Sequence, residues 1–288
     1  MSPLEEYSLI PLWKHSLSQI PPSVHPRIKV CLAVGLSNSK DKPMRTLSGF
    51  FAFIVAVTVS AAEHSSMTYK TVDDRELQIH LVQPDGHTAS NRAPAVVYFH
   101  GGGWQRGSPE TGFVYGETLA EHGIVTLAVE YRFTDTVTLD EIIKDAAAAV
   151  RYTRERARRI GIDPGKIVAF GHSAGGHLAA STATLRSFDE EDDYTRASPR
   201  PNALALIAPY PATIETAADF LPPGANIADF EPRQHIDRRM PATLIIQGDA
   251  DTLVAPAISE AYHEALLAAG ADSTLFMVEG VDHFFREE

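Results

Sequence analysis

What most constrains this chain is an alternation. From about residue 95 onward, short and nearly continuous apolar runs recur, each separated from the next by a longer stretch, usually with helical spacing. Residues 95–99, 124–130, 166–170, 203–208, 242–247 and 274–278 read as strands, and their lack of an in-and-out period predicts parallel strands covered on both faces. Helices are predicted over 115–122, 139–160, 174–185 and 257–269. In the second of these Ile142, Ala146, Val150 and Tyr152 share one face with charge opposite, and Gly161 ends it. Two earlier alternating segments, 68–72 and 77–82, predict an antiparallel hairpin at the sheet edge. Strand–helix alternation of this kind means an open, mostly parallel α/β sheet with helices on both faces. Residues 187–202, acidic then Pro-rich, and 209–241 read as loops or small insertions, neither long enough for a second domain.

The N-terminal part does not fit that pattern. Residues 44–62 combine a positive flank (Lys40, Lys42, Arg45), a short apolar run and a small-residue end at Val59-Ser60-Ala61 or Ser60-Ala61-Ala62. That is the make-up of a secretory signal peptide, and the run is shorter than the roughly 20 residues needed to span hydrocarbon. Residues 1–43, which include Pro3, Pro11, Pro21, Pro22 and Pro26, show no sustained period and are expected to be an upstream extension, with translation starting at Met44. The folded domain is then expected over 63–288, exported to the periplasm or beyond, with no stable membrane anchor after cleavage. Lys and Arg total 25 against 37 Asp and Glu, a formal charge of −12, which argues against nucleic acid as a partner. The single Cys31 excludes a disulfide framework and a multi-thiolate metal site.

Three loops carry the chemistry. Gly171-His172-Ser173-Ala174-Gly175 follows a predicted strand and opens a predicted helix. So sharp a turn forces Ser173 into a strained conformation with its hydroxyl presented, and side chains at 171 and 175 would collide. His100-Gly101-Gly102-Gly103-Trp104 follows another strand; its bare backbone lets the amides of Gly102 and Gly103, with that of Ala174, point at one small anion. A phosphate cradle would need a following Lys-Ser/Thr, which is lacking. A nucleophilic Ser173 requires a base and an orienting carboxylate. His283 is the better base, because the other downstream histidine, His263, sits within a helix pattern. Asp249 and Asp251 both follow the strand 242–247, and residue chemistry alone leaves the choice between them open; Asp282 is too close to His283 in sequence to serve. His172 is expected to point into the fold, His177 to pack, and His100 and His235 to anchor loops. Trp104 is expected to line the pocket beside the glycine loop. No metal or cofactor is required.

In their order, residues 100–104, 171–175, 248–254 and 280–284 resemble the α/β-hydrolase superfamily. The glycine loop resembles the hormone-sensitive-lipase-like esterases and acetylxylan-type carbohydrate esterases. Glu130-Tyr131-Arg132, Ile162-Asp163-Pro164 and Gly176-His177-Leu178-Ala179 add to the likeness. The resemblance implies Asp251 as the acid, His283 as the base, and Gly102, Gly103 and Ala174 as oxyanion donors. The chain departs in having Phe133-Thr134-Asp135 after Tyr131-Arg132, and it leaves no room for a large N-terminal cap. The expectation is therefore a secreted serine esterase acting on short acyl, above all acetyl, esters of small molecules or plant polysaccharide. The rivals are a prolyl-oligopeptidase-like peptidase, a lipase, and a hydrolase-like fold kept for binding. A peptidase of that kind would want a β-propeller and a lipase an apolar lid.

Overall fold

The structure, a computed structural model, describes residues 63–185, 188, 196–210 and 215–285. The signal-peptide reading of 44–62, the extension 1–43 and the acidic residues 189–193 lie outside the described residues. One sheet of eight strands organises the rest, in the order β1-β2-β4-β3-β5-β6-β7-β8. β1 (Glu63–Val72) and β2 (Arg75–Gln83) form the antiparallel edge hairpin, and β2 is also antiparallel to β4 (Val125–Val129). From β4 the sheet runs parallel through β3 (Ala93–Phe99), β5 (Ile162–His172), β6 (Ala203–Ile207), β7 (Ala242–Gly248) and β8 (Ser273–Val278).

The two-residue period of the strands divides the core. Ala95, Val97 and Phe99 of β3 face one apolar cluster, with Ile142 of α2 (Leu139–Glu155), Leu178 of α4 (Ala174–Thr184) and Leu266 of α5 (Pro256–Ala268). Val96 and Tyr98 face the other, with Leu119 of α1 (Phe113–Ala120). Apolar runs without alternation are what such two-sided burial requires.

Two expectations need correction. The helix expected over 139–160 is two: α2 ends at Glu155, Arg156 leaves helical geometry at φ −85° and ψ 1°, and α3 (Ala157–Ile160) follows. The break turns Gly161, at φ +81°, against the backbone of Thr88, and the His87 ring donates to the Ile160 carbonyl at 2.8 Å. β8, expected to be buried on both faces, is half-exposed throughout, because it is the outer edge of the sheet. The helix α2 also hides charge that its apolar stripe did not announce. Asp145 is wholly buried, accepting from Arg132 Nε and Nη2 at 2.8 Å each and from Lys70 at 2.9 Å. Removing one partner from such a buried pair costs about 3–5 kcal/mol. The pair pins α2 to the turn after β4, which in turn supports the glycine loop. Between β6 and β7 the described chain makes three short 3-10 turns (Glu215–Phe220, Ile227–Phe230, Pro232–His235), and no large cap stands among the described residues.

Candidate active site

The parallel strands end on one rim, and the functional loops leave from there. β5 runs into α4 through Ser173, which sits at φ 56° and ψ −124°, a region that costs a non-glycine residue about 1–3 kcal/mol. Its backbone is held on both sides: the amide donates to the Ile207 carbonyl at 2.9 Å, and its carbonyl accepts from His177 at 3.1 Å and Tyr210 at 3.0 Å. The two flanking glycines are required for different reasons. A Cβ on Gly171 would lie 2.1 Å from the Gly175 carbonyl oxygen, a collision within the turn itself. A Cβ on Gly175 would lie 2.0 Å from the Phe99 carbonyl oxygen, so that glycine lets α4 close onto the end of β3.

Ser173, His283 and Asp251 come together, all nearly buried. His283 Nε2 lies 3.0 Å from Ser173 Oγ, and His283 Nδ1 lies 2.8 Å from Asp251 Oδ2. Because Asp251 can only accept, Nδ1 carries the proton and Nε2 presents its lone pair to the hydroxyl. Asp251 is fixed from four directions. Oδ1 accepts from the amides of Leu253 at 2.9 Å and Val254 at 2.8 Å, while Oδ2 accepts from Gln247 Nε2 at 3.0 Å as well as from His283. Asp249, the other acid left open by the sequence, is exposed and accepts from the Gly280 amide at 2.7 Å, tying the two loops together without touching the imidazole.

The glycine loop runs alongside. A Cβ on Gly101 would meet His172 Nδ1 at 3.1 Å and Ser173 Cβ at 3.4 Å, so this backbone lies against the nucleophile. Gly102 (φ +130°) and Gly103 (φ +63°) hold backbone geometry that side chains disfavour. Among the described residues neither amide has an intramolecular acceptor. Tyr131, wholly buried, donates its hydroxyl to the His100 carbonyl at 2.7 Å, and the His100 Nδ1–H reaches the Gly101 carbonyl at 2.8 Å. Burial lowers the His100 pKa and raises that of Tyr131, so both stay neutral. His100 thus anchors the loop, as its sequence suggested, and His235 bonds the Ala228 carbonyl at 3.1 Å.

Trp104 needs correction. It is wholly buried and packs edge-on against His177 (5.1 Å), Tyr210 (5.3 Å) and Phe220 (6.5 Å) beneath the loop, rather than lining an open pocket. Its large apolar ring lies in the core, on a backbone held at a positive φ of 60°. His172, expected to point inward, bonds the His283 carbonyl at 2.8 Å and lies ring to ring with it at 4.8 Å. Sequence reasoning missed Gln247. It is wholly buried at the end of β7, donates to Asp251, and accepts from the Ser259 hydroxyl at 2.7 Å. A lone glutamine within an apolar strand run was the available signal.

The BD-FAE family matches residues 79–214, a span holding the glycine loop and Ser173 but ending before Asp251 and His283. Thermogutta terrifontis esterase 2 is 32% identical, with 77% of this chain and 85% of that one aligned at a TM-score of 0.72. That protein has been solved phosphorylated by paraoxon, phosphonylated by sarin, and with propionate or butyrate bound. An arylesterase of Saccharolobus solfataricus is 35% identical over 115 residues, 40% of this chain and 37% of its own length. A probable isoprenylcysteine alpha-carbonyl methylesterase of Arabidopsis thaliana is 24% identical over 214 residues, 66% of this chain and 45% of its own. The chain spans less than two thirds of the length of the curated relatives it matches.

Proposed function

The chain belongs to the α/β-hydrolase superfamily, among its esterases, and on that premise we propose that it is an exported serine carboxylic-ester hydrolase that removes short acyl groups, acetyl first. The observation that carries this is the relay in which one imidazole reaches a strained serine hydroxyl with one nitrogen and a fully hydrogen-bonded buried carboxylate with the other. In the proposed reaction Ser173 Oγ attacks the ester carbonyl while His283 Nε2 takes its proton. Asp251 holds the Nδ1–H tautomer and stabilises the imidazolium. The amides of Gly102, Gly103 and Ala174 receive the oxyanion, each donor worth about 2.7–4 kcal/mol in the transition state. His283 then protonates the leaving alcohol, and water, deprotonated by the same imidazole, releases the acid.

The short-acyl preference draws support from the propionate and butyrate complexes of the Thermogutta terrifontis relative. Acylated carbohydrate is the substrate class suggested by the likeness to acetylxylan-type esterases. Export rests on the composition of residues 44–62. A p-nitrophenyl acyl series tests the chemistry. Turnover should fall steeply beyond butyrate, and Ser173→Ala should lose at least about 10³ of kcat. Preference for octanoate or longer would refute the short-acyl reading, and no turnover of any ester would refute the esterase. N-terminal sequencing of protein recovered outside the cytoplasm tests export; a chain beginning before residue 55 would end it.

A further inference from the structure

β5 ends on His172, and the two-residue period of a strand decides where that side chain goes. The ladder to β6 keeps its register up to His172, paired with Ile207, so His172 shares a sheet face with Val168 and Phe170. On that face Val281 and Phe285, on either side of His283, are buried in the same apolar cluster as Phe170. The strand thus aims the residue next to the nucleophile at the segment that carries the base. His172 Nε2 lies 2.8 Å from the His283 carbonyl oxygen. A carbonyl only accepts, so Nε2 carries the proton and donates. The two imidazoles lie 4.8 Å apart at 39°, and the other nitrogen of the His172 ring faces Gly101, where a Cβ would meet Nδ1 at 3.1 Å. From within the serine turn, one side chain therefore meets both the base's loop and the glycine loop.

Other contacts hold the base to the acid. The Gly280 amide donates to Asp249 Oδ1 at 2.7 Å, the Ala250 amide donates to the Val281 carbonyl at 3.2 Å, and Asp251 sets the rotation of the imidazole through Nδ1. These bonds join base and acid and leave the distance from that pair to Ser173 to be set from the nucleophile's side. Covalent geometry nearly fixes the reach from the His283 Cα to its Nε2, so the 3.0 Å separation from Ser173 Oγ follows where the main chain at 283 stands. We propose that His172 is a positioning residue: by gripping the main chain of the base from the position next to the nucleophile, it holds the imidazole within reach of the serine hydroxyl. That role rests on Ser173 and His283 acting as nucleophile and base.

The test uses reach. A glutamine amide nitrogen extends about as far as a histidine Nε2, and an asparagine nitrogen only as far as Nδ1, with the same chemistry in both. His172→Asn should lose the bond to the His283 carbonyl, and kcat for p-nitrophenyl acetate should fall at least about tenfold, since a misplacement of about 1 Å can cost about 10²-fold. KM should stay within about threefold, because His172 acts through His283 rather than on the ester. His172→Gln should restore kcat to within about threefold of the parent chain. His172→Ser, shorter still, should match His172→Asn and takes its place if that protein does not melt cooperatively. A second readout is independent of turnover: the low-field NMR resonance of the His283 Nδ1 proton, assigned by its absence from His283→Gln. It should persist in the parent and in His172→Gln and broaden away in His172→Asn as the imidazole loosens. Asparagine and glutamine variants with equal kcat, whether both near the parent or both depressed, would overturn the positioning role, as would a lowered melting temperature with kcat unchanged. A parent chain that hydrolyses no ester, yet whose resonance is lost only in the shorter variants, would instead sink the esterase and leave the positioning standing.

Discussion

Replacing Asp251 by asparagine changes one atom, and the site makes its consequence calculable. At the Oδ1 position the new NH₂ would face the amides of Leu253 and Val254, two backbone donors that cannot reorient. At the Oδ2 position it would face Gln247 Nε2 and His283 Nδ1. Gln247 is itself fixed, since its Nε2 also donates to the carbonyls of Gly248 (3.1 Å) and Val254 (3.2 Å) and its Oε1 accepts from Ser259. The imidazole is the only partner that can yield. The asparagine amide therefore turns toward His283, which gives up its Nδ1 proton and carries one on Nε2 instead. Nε2 then donates to Ser173 Oγ and has no lone pair with which to take the serine proton. Loss of the correct tautomer with geometry intact costs about 10⁴ in kcat, which is about 5 kcal/mol of transition-state stabilisation. Turnover of p-nitrophenyl acetate at neutral pH measures it, with thermal melting to show that the fold survives. Asp249→Asn is the control: it keeps an oxygen to accept from Gly280 and should cost less than about threefold. An Asp251→Asn enzyme that keeps its melting temperature and more than about a tenth of its kcat would refute the relay, the predicted residual being near 10⁻⁴.

Other outcomes follow from the same contacts. Gly175→Ala places a methyl 2.0 Å from the Phe99 carbonyl oxygen and 2.5 Å from that of His100, so α4 must retreat from the glycine loop. Stability should fall by about 1–3 kcal/mol and kcat with it, whereas Gly176→Ala, whose nearest neighbour would be Pro209 Cα at 3.0 Å, should be milder. Urea midpoints and kinetics check both, and a Gly175→Ala protein like the parent in the two would contradict the packing. Burial lowers the pKa of His100 and of His177 in the folded chain, so as pH falls through about 6.5 the unfolded chain binds protons that the folded chain refuses. Folding stability from these groups is thus intact above that pH and declines below it. The urea midpoint should drop between pH 7.5 and 5.5, and by less in His177→Gln; an equal drop in the two proteins would exclude His177 as a source.

Much of this molecule is written in local sterics. The turn at Ser173 could be read because only glycines tolerate the contacts at 171 and 175, and the strands because unbroken apolar runs suit burial on both faces. Gly161 announced a helix end for the same reason, its left-handed φ. The break at Arg156 was illegible, since no proline or glycine marks it and its cause, the docking of Gly161 on Thr88, is tertiary. Trp104 was misread because a large aromatic beside a glycine loop suits a pocket wall and a core equally, and only burial separates them.

The fold class, the serine turn and the bare-amide loop were settled by residues within a few positions of one another, where backbone geometry is local. Which aspartate meets the imidazole, and that Gln247 steadies it, were decided only when the chain closed. His283 stands 110 residues from Ser173 and 32 from Asp251. Hydrogen bonds depend on distances of tenths of an ångström, and no spacing along a chain encodes such distances across so many intervening residues.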